Sequence, residues 1–246
     1  VPRYRTGRAF LAGDAAHVHS PAGGLGMNTG IQDAFNLTWK LAAAVRGEAS
    51  EELLDSYHDE RHPVAADVIK FTTALTKAGT LSSPFAREVR NLVMKAALKM
   101  PLARHSMANE IEQMTVEYSY SPLAESRNKG PVHAGDAVRT VPGVDLWSTL
   151  AHREPSGSGH ALVLVADRAG TFPDYPTPHG AQTFWVAPTE DPTVLSDPQG
   201  LVAERYGLKD HGGAILVRPD GYVAAISDPF HLTDLDDYLA TISVKS

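Results

Sequence analysis

One run near the start of the chain, Gly7-Arg8-Ala9-Phe10-Leu11-Ala12-Gly13-Asp14-Ala15-Ala16-His17, constrains what it can fold into more than any other stretch. It continues through Pro21-Ala22-Gly23-Gly24-Leu25-Gly26-Met27-Asn28 into a helical pattern. Phe10 to Ala12, led by Arg8-Ala9, is short, apolar and closed by Gly13-Asp14, which predicts a strand buried on both faces that ends at a site. From about Asn28 the residues Ile31, Phe35, Thr38, Leu41, Ala42 and Val45 recur at helical spacing as far as Arg46-Gly47, a C-terminal signal. A carboxylate at a strand end, a glycine loop and a helix N-terminus together suit a large anionic ligand.

Helical texture continues well beyond that first helix. Ser50 can cap a second helix through Leu53, Leu54 and Tyr57, and Pro63 either kinks it or opens a third at its first turn. Ser83-Pro84 and Met100-Pro101 start two more, to about Lys99 and Gln113, so residues 28–113 read as nearly all helical. Val116 to Ser121 then alternates like an edge strand, and a Gly-, Pro-, Asn- and Ser-rich connection follows. Beyond it His160 to Ala166 and Gln182 to Ala187 are strands, and Asp197-Pro198 caps a short helix to Tyr206. Gly213 to Val217, the turn Arg218-Pro219-Asp220-Gly221 and Tyr222 to Ser227 form a β-hairpin. A last helix from about Thr233 buries Leu235, Leu239 and Ile242. The chain is therefore α/β, α+β taken as a whole, with a helical segment followed by a small α/β domain of thioredoxin type.

The glycine loop has competing readings. Gly24-Leu25-Gly26-Met27-Asn28-Thr29-Gly30 can be written as a dinucleotide-type glycine pattern, yet about ten residues separate it from the preceding strand, where a Rossmann turn follows at once. A glycine turn that merely starts a helix is the bland alternative. Asp14 argues for a site, because ligands of open α/β sheets bind at the carboxyl ends of strands. Glycines let backbone approach a planar ligand, and the helix N-terminus offers N–H donors and the positive end of its dipole. Hydroxyls to accept from, a flat ring and developing negative charge describe a reduced flavin.

These residues, continued by Ile31-Gln32-Asp33-Ala34-Phe35-Asn36-Leu37-Thr38-Trp39-Lys40-Leu41 and by Leu54, Tyr57, Glu60, Arg61 and Pro63, resemble the second FAD motif of class A aromatic hydroxylases. Gly135-Asp136-Ala137-Val138-Arg139 and Leu216-Val217-Arg218-Pro219-Asp220-Gly221-Tyr222-Val223-Ala224 are similar to the later part of the phenol and polyketide hydroxylase branch. The resemblance implies a partial FAD-binding domain over 1–130 and a thioredoxin-like domain without redox cysteines over 131–246. It implies FAD as cofactor, NAD(P)H as transient reductant and an aromatic substrate, phenolic or polyketide, that receives one oxygen atom. The cofactor-binding residues would be Gly13, Asp14, Pro21, Gly23, Gly24, Leu25, Gly26, Met27 and Asn28. Asp14 would bind the ribityl chain, Pro21 would lie beside the isoalloxazine and the backbone of Gly24 to Asn28 would face its pyrimidine edge. The helix N-terminus acts there electrostatically, and no side chain is assigned a catalytic role.

The family's first glycine motif and its central motif are not found in this sequence, and the chain opens on Val1. The expectation is thus the later part of a longer or two-part enzyme, with a missing N-terminal FAD-binding portion as its partner and no hydroxylation by these residues alone. A homo-oligomer is allowed. Two other readings compete: a non-catalytic thioredoxin-like association module with a vestigial flavin motif, and a nicotinamide-dependent dehydrogenase.

Composition bounds these readings. The 246 residues are 43% hydrophobic and carry a formal charge of -7, and no long basic run suggests nucleic acid. No stretch approaches the roughly 20 apolar residues of a membrane span, and no secretory leader is visible. Zero cysteine excludes disulfides and thiolate metal sites and makes a cytoplasmic location the default. His58-Asp59-Glu60-Arg61-His62 lacks the zinc-protease order, so no metal is assigned. His17 and His19 line or support the loop. Ser156-Gly157-Ser158-Gly159-His160 precedes a strand, unlike a nucleophile elbow, and reads as a loop. Trp147, Phe184 and Trp185 read as core aromatics, and Leu92, Val93, Met94, Ala97, Leu98 and Met100 as a packing stripe.

Overall fold

The computed structural model describes residues 1–18, 20–21, 24–81, 83, 85, 87–88, 91, 116–124, 130–151, 158–189, 191, 193–208, 211–229 and 233–244. The expected helix starts at Pro84 and Met100-Pro101, the stripe from Leu92 to Met100, His19, the loop at Ser156-Gly157 and the Trp147 side chain lie outside what is described. The chain is mixed α/β and divides into two compact units, Val1–Phe35 with Glu60–Val116 and Asn36–Asp59 with Glu117–Ser246. Helices α1 (Gly26–Val45) and α2 (Glu51–Gly79) each contribute to both.

Helix α1 begins two residues before its expected start. It closes as expected at Gly47, whose φ of +75° is the left-handed conformation that ends helices, while the Glu48 N–H donates to the Ala43 carbonyl at 2.9 Å. Ser50 caps α2: its hydroxyl oxygen accepts from the Leu53 N–H at 3.0 Å, and Glu51 and Glu52 lie in the first turn, where the dipole favours them. Pro63 does not open a third helix but sits inside α2, which runs through it with Tyr57, Glu60, Arg61 and Ala65 fully buried around it. Packing of those neighbours outweighs the single N–H that proline removes.

In the first unit, β1 (Arg5–Thr6) pairs antiparallel with β2 (Ala9–Phe10), Arg5 opposite Phe10 and Thr6 opposite Ala9. The strand expected to be buried on both faces is therefore a two-residue hairpin arm, with Ala9 exposed and Leu11 39% exposed. Burial on both sides needs a neighbour on each, and among the described residues β2 pairs only with β1.

In the second unit, a short helix α3 (Leu146–Ala151) precedes a five-stranded sheet built from β3 (Ala161–Val165), β4 (Gln182–Ala187), β5 (Leu195–Ser196), β6 (Gly213–Val217) and β7 (Val223–Ser227). Helix α4 (Leu201–Arg205) lies between β5 and β6, and α5 (Thr233–Ile242) follows β7. The order is β5-β4-β3-β6-β7, with β3, β4 and β5 parallel and β6 and β7 antiparallel. Alternation along the strands sends side chains to two cores. Val163, Val165, Val186, Ile215 and Val217 join Leu146, Leu150, Val202 and Tyr206 in one. Leu162, Leu164 and Leu216 join Trp39 and Ala43 of α1, Leu53 of α2, and Leu235, Tyr238 and Ile242 of α5 in the other.

Strands β3, β4 and the hairpin fall where the sequence puts them. Asp197 caps α4 from outside the helix, accepting from the Leu201 and Val202 N–H groups at 2.9 and 2.8 Å. Residues 116–121 are not an edge strand but coil and a turn, because the Tyr118 N–H donates to the Gly135 carbonyl and the Tyr118 ring packs inward on Tyr222 at 4.3 Å. Phe184 packs on the core as expected, whereas Trp185 is 43% exposed. Among the described residues strand β5 pairs only with Val186 and Ala187 and does not reach Trp185.

The hairpin turn carries an unforeseen buried ion pair. Arg218 donates from Nε to Asp220 Oδ1 at 3.0 Å and from Nη2 to Oδ2 at 2.6 Å, both side chains almost fully buried. Its guanidinium lies 5.3 Å from the Trp39 and Tyr118 ring centroids and 5.8 Å from that of Tyr222. Trp39 Nε1 donates to the same carboxylate at 3.2 Å, tying α1 to the hairpin. Removing one partner of a buried pair strands the other charge, so Asp220→Ala is expected to cost on the order of 3 kcal/mol. Ser50→Ala should cost about 1 kcal/mol. Urea unfolding of the chain tests the ranking; an Asp220→Ala loss no larger than that of Ser50→Ala would contradict it.

Candidate flavin-loop site

Gly13 opens a single 3-10 turn, Gly13–Ala15, with φ +57°. Its carbonyl accepts from the Ala16 and His17 N–H groups at 2.8 and 3.0 Å. A Cβ on Gly30 would lie 3.4 Å from the Gly13 Cα, and one on Gly13 would lie 3.8 Å from the Gly30 Cα. Two glycines thus let the turn lie directly against the early part of α1.

The turn is held from beneath by Asp33, a fully buried residue of α1. Its Oδ2 accepts from the Gly13 N–H at 3.0 Å and lies 2.6 Å from His17 Nε2. Its Oδ1 accepts from Arg61 Nε at 2.7 Å, and Arg61 Nη2 also donates to the Thr29 carbonyl at 3.2 Å and to Gln32 Oε1 at 3.3 Å. Burial by itself would raise the Asp33 pKa, but the hydrogen bond from His17, the charge and hydrogen bond of Arg61 and the Gly13 N–H outweigh it and hold the carboxyl below its usual value. Burial, with the Asp33 charge reinforcing it and Arg61 opposing it, pushes the neighbouring Tyr4 hydroxyl up to about 12. The Tyr4 ring stands 6.0 Å from that of His17 and 5.3 Å, edge-on, from that of His62.

Of the residues singled out in the sequence, Asp14, Pro21, Gly24, Met27 and Asn28 are exposed, Gly13 and Gly26 are half-buried and Leu25 is buried. Gly24 has φ +66° and its N–H donates to the Pro21 carbonyl at 3.0 Å, closing the turn that leads into α1. Gly23 lies outside the described residues. The first turn of α1 contains no acidic side chain. The accessible groups are therefore one carboxylate and the backbone of a helix start, which suits binding and electrostatic stabilisation better than proton transfer.

His17 supports the loop, as one of its two expected roles, whereas Asp33 and Arg61 as its partners escaped the motif reading. The available signal was a carboxylate inside α1 with no basic residue one turn away on the same helix, which implies a partner elsewhere. A cavity of about 390 Å³ lies at the carboxyl ends of β3 and β4, lined in part by Asp167, Arg168, Asp197 and Glu204. None of the expected site residues lines it.

The family described as FAD binding domain matches residues 1–72. The chain is 39% identical to 6-methylpretetramide 4-monooxygenase of Streptomyces rimosus, over 92% of this chain and 42% of that protein. It is 32% identical to pentachlorophenol 4-monooxygenase of Sphingobium chlorophenolicum, over 90% of this chain and 43% of the relative. Among solved structures, OxyS anhydrotetracycline hydroxylase from Streptomyces rimosus superposes with a TM-score of 0.71 at 32% identity, over 98% of this chain and 45% of that one. The chain thus spans less than half the length of the curated relatives it matches.

Asp33 contributes stability that is complete above about pH 4, the ordinary carboxylate range, and is lost as pH falls through its lowered folded value. Asp33→Asn should therefore destabilise the chain at neutral pH by on the order of 3 kcal/mol, with the deficit shrinking below about pH 4. Denaturant unfolding between pH 7 and pH 3 measures it. A deficit that does not change with pH would mean that Asp33 is not held ionised.

Proposed function

We infer function from the premise that this chain belongs to the FAD-dependent aromatic hydroxylases, the flavoprotein monooxygenases whose members act on aromatic and polyketide compounds. The proposed activity is hydroxylation of an aromatic ring, phenolic or polyketide, with FAD as cofactor and NAD(P)H as reductant. Residues 1–130 would form part of the FAD-binding and monooxygenase domain, and residues 131–246 a thioredoxin-like domain that works without redox cysteines. These residues do not hydroxylate by themselves in this reading, since the chain spans 42% of 6-methylpretetramide 4-monooxygenase and the remainder of the fold completes the FAD site. Among the described residues no helix is long and apolar enough to cross a membrane. The zero cysteine count favours a reducing cytoplasm.

The observation that carries the reading is the paired glycine approach beneath an exposed carboxylate. Gly13 and Gly30 meet backbone to backbone where the turn lies on α1, and Asp14 stands exposed one residue further on. Asp14 would accept hydrogen bonds from the ribityl hydroxyls of FAD. Pro21 would flank the isoalloxazine, and the backbone of Gly23 to Asn28 would face its pyrimidine edge. When bound, reduced FAD supplies the activation of dioxygen and the transfer of one oxygen atom to the ring. The protein's share is to orient the flavin through Asp14, to keep side chains away from the ring with glycines, and to set the N-terminal dipole of α1 against developing negative charge. Asp33, His17 and Arg61 act behind this surface as positioning residues.

In the flavin-loaded protein as its cell makes it, Asp14→Ala should weaken FAD retention by about ten- to a hundredfold, the value of a charge-assisted hydrogen bond, and leave the C-terminal unit folded. Flavin absorbance after dialysis reads the effect. Unchanged occupancy would remove Asp14 from the site. A wild-type protein that neither carries flavin nor is stabilised against heat by added FAD would favour the association module with a vestigial motif.

A further inference from the structure

The last turns of α2 and the residue after it carry three threonines spaced four apart. The hydroxyls of Thr72, Thr76 and Thr80 donate to the carbonyls of Val68, Thr72 and Thr76 at 2.9, 2.8 and 2.8 Å. That bond satisfies a helical hydroxyl and slightly weakens the helix. Thr76 does more, because its Oγ1 also lies 2.6 Å from Ser20 Oγ, a short contact between two hydroxyls. Each hydroxyl has one proton, so when Thr76 gives its own to the Thr72 carbonyl, Ser20 supplies the one between them. Ser20 is half-buried and directly precedes Pro21, whose carbonyl accepts from the Gly24 N–H in the turn that enters α1.

The same helix meets the loop system at a second point. Arg61 holds Asp33, which in turn holds Gly13 and His17. From Arg61 to Thr76 the unbroken helix rises about 22 Å, and at 100° per residue the two lie about 60° apart around its axis. One side of one rigid element therefore fastens the loop near its start, through Asp33, and again in its middle. We propose that Ser20 and Thr76 are positioning residues for the flavin, their contact setting where Pro21 stands against the isoalloxazine ring. The inference rests on the proposed function, which places Pro21 beside that ring, and adds a determinant on a different helix from the glycine loop. Separate anchors on α2 then govern the two ends of the flavin, Arg61 the turn that presents Asp14 to the ribityl chain and Thr76 the segment at the ring. The first anchor is charged and the second a neutral hydroxyl pair, so the second is the more easily released. Because Pro21 faces the ring, losing that contact alters the surroundings of the flavin as well as its retention.

The flavin-loaded protein as its cell makes it is compared with Thr76→Val, Ser20→Ala, the double variant, Thr76→Ser and Thr80→Val. FAD dissociation on dialysis, the position of the visible absorption bands of the flavin and the urea midpoint are read for each. Thr76→Val and Ser20→Ala should each weaken FAD binding about fivefold, the value of one neutral hydrogen bond, and should move the absorption bands. The double variant should be no worse than either single one, since both remove the same contact. Thr76→Ser should bind as wild type. Thr80→Val, which loses a helical hydroxyl bond of the same 2.8 Å, should leave retention and bands unchanged. Ser20 lies outside any helix, so Ser20→Ala carries the test where Thr76→Val lowers the urea midpoint. Losses that multiply in the double variant, an equal loss in Thr80→Val, or unmoved bands overturn the positioning role. The functional reading stands in that case if Asp14→Ala still releases flavin. A wild-type protein that neither carries flavin nor is stabilised by added FAD overturns both.

Discussion

A carboxylate with no access to water survives only if its donors replace water completely, and the geometry around Gly13 follows from that requirement. Asp33 has three such donors: the Gly13 N–H, His17 and Arg61. They come from both ends of the 3-10 turn and from α2, so satisfying one charge fixes that turn and α2 against α1 at once. Gly13 suits that turn through its left-handed backbone, φ +57°, while a Cβ on Gly13 or Gly30 would meet the other residue's Cα at ordinary contact distance, 3.8 and 3.4 Å. The outward surface is left with Asp14 and bare backbone because the polar anchoring is done from behind.

The second unit repeats the device with the charges exchanged. There the deeply buried group is the Arg218 guanidinium, ringed by Trp39, Tyr118 and Tyr222 and paired in bidentate fashion with Asp220. The planar fork of arginine suits both contacts, its edge meeting the carboxylate and its faces the rings, which a lysine could not do. Buried pairs of this kind add little net stability over apolar replacements, but they penalise any arrangement that separates the partners. In this chain that penalty falls on the attachment of α1 to the hairpin.

Much of the secondary structure was legible because the signals are local. Apolar runs bounded by turn residues delimit β3, β4 and the β6–β7 hairpin, and Arg46-Gly47 and Ser50 mark the end of one helix and the start of the next. The failures share a cause: each depended on what lies across from a residue. The alternation over 116–121 reads as a strand until the Gly135 carbonyl takes the Tyr118 N–H, and Trp185 reads as core until β5 proves too short to cover it. Periodicity detects the stripe that includes Ile31 and Phe35 but not the side it faces, and in this first part of α1 the buried side is the one with Thr29 and Asp33. Of the candidate site, the order of carboxylate, glycine loop and helix start and the supporting place of His17 were legible in the sequence, while the buried Asp33 and Arg61 that complete the support were not.

What the sequence alone determined is the chemistry available to the loop: a carboxylate after a glycine, further glycines where a flat ligand could approach, and an N-terminal helical turn without acidic residues. Those properties belong to residue types and their spacing along a few dozen positions, so no fold is needed to read them. The tertiary structure decided which groups hold the loop in place and which face of α1 is buried. Both depend on pairs distant in sequence, Gly13 with Asp33 and Asp33 with Arg61, whose energy exists only once packing has removed the water that would otherwise satisfy each partner separately.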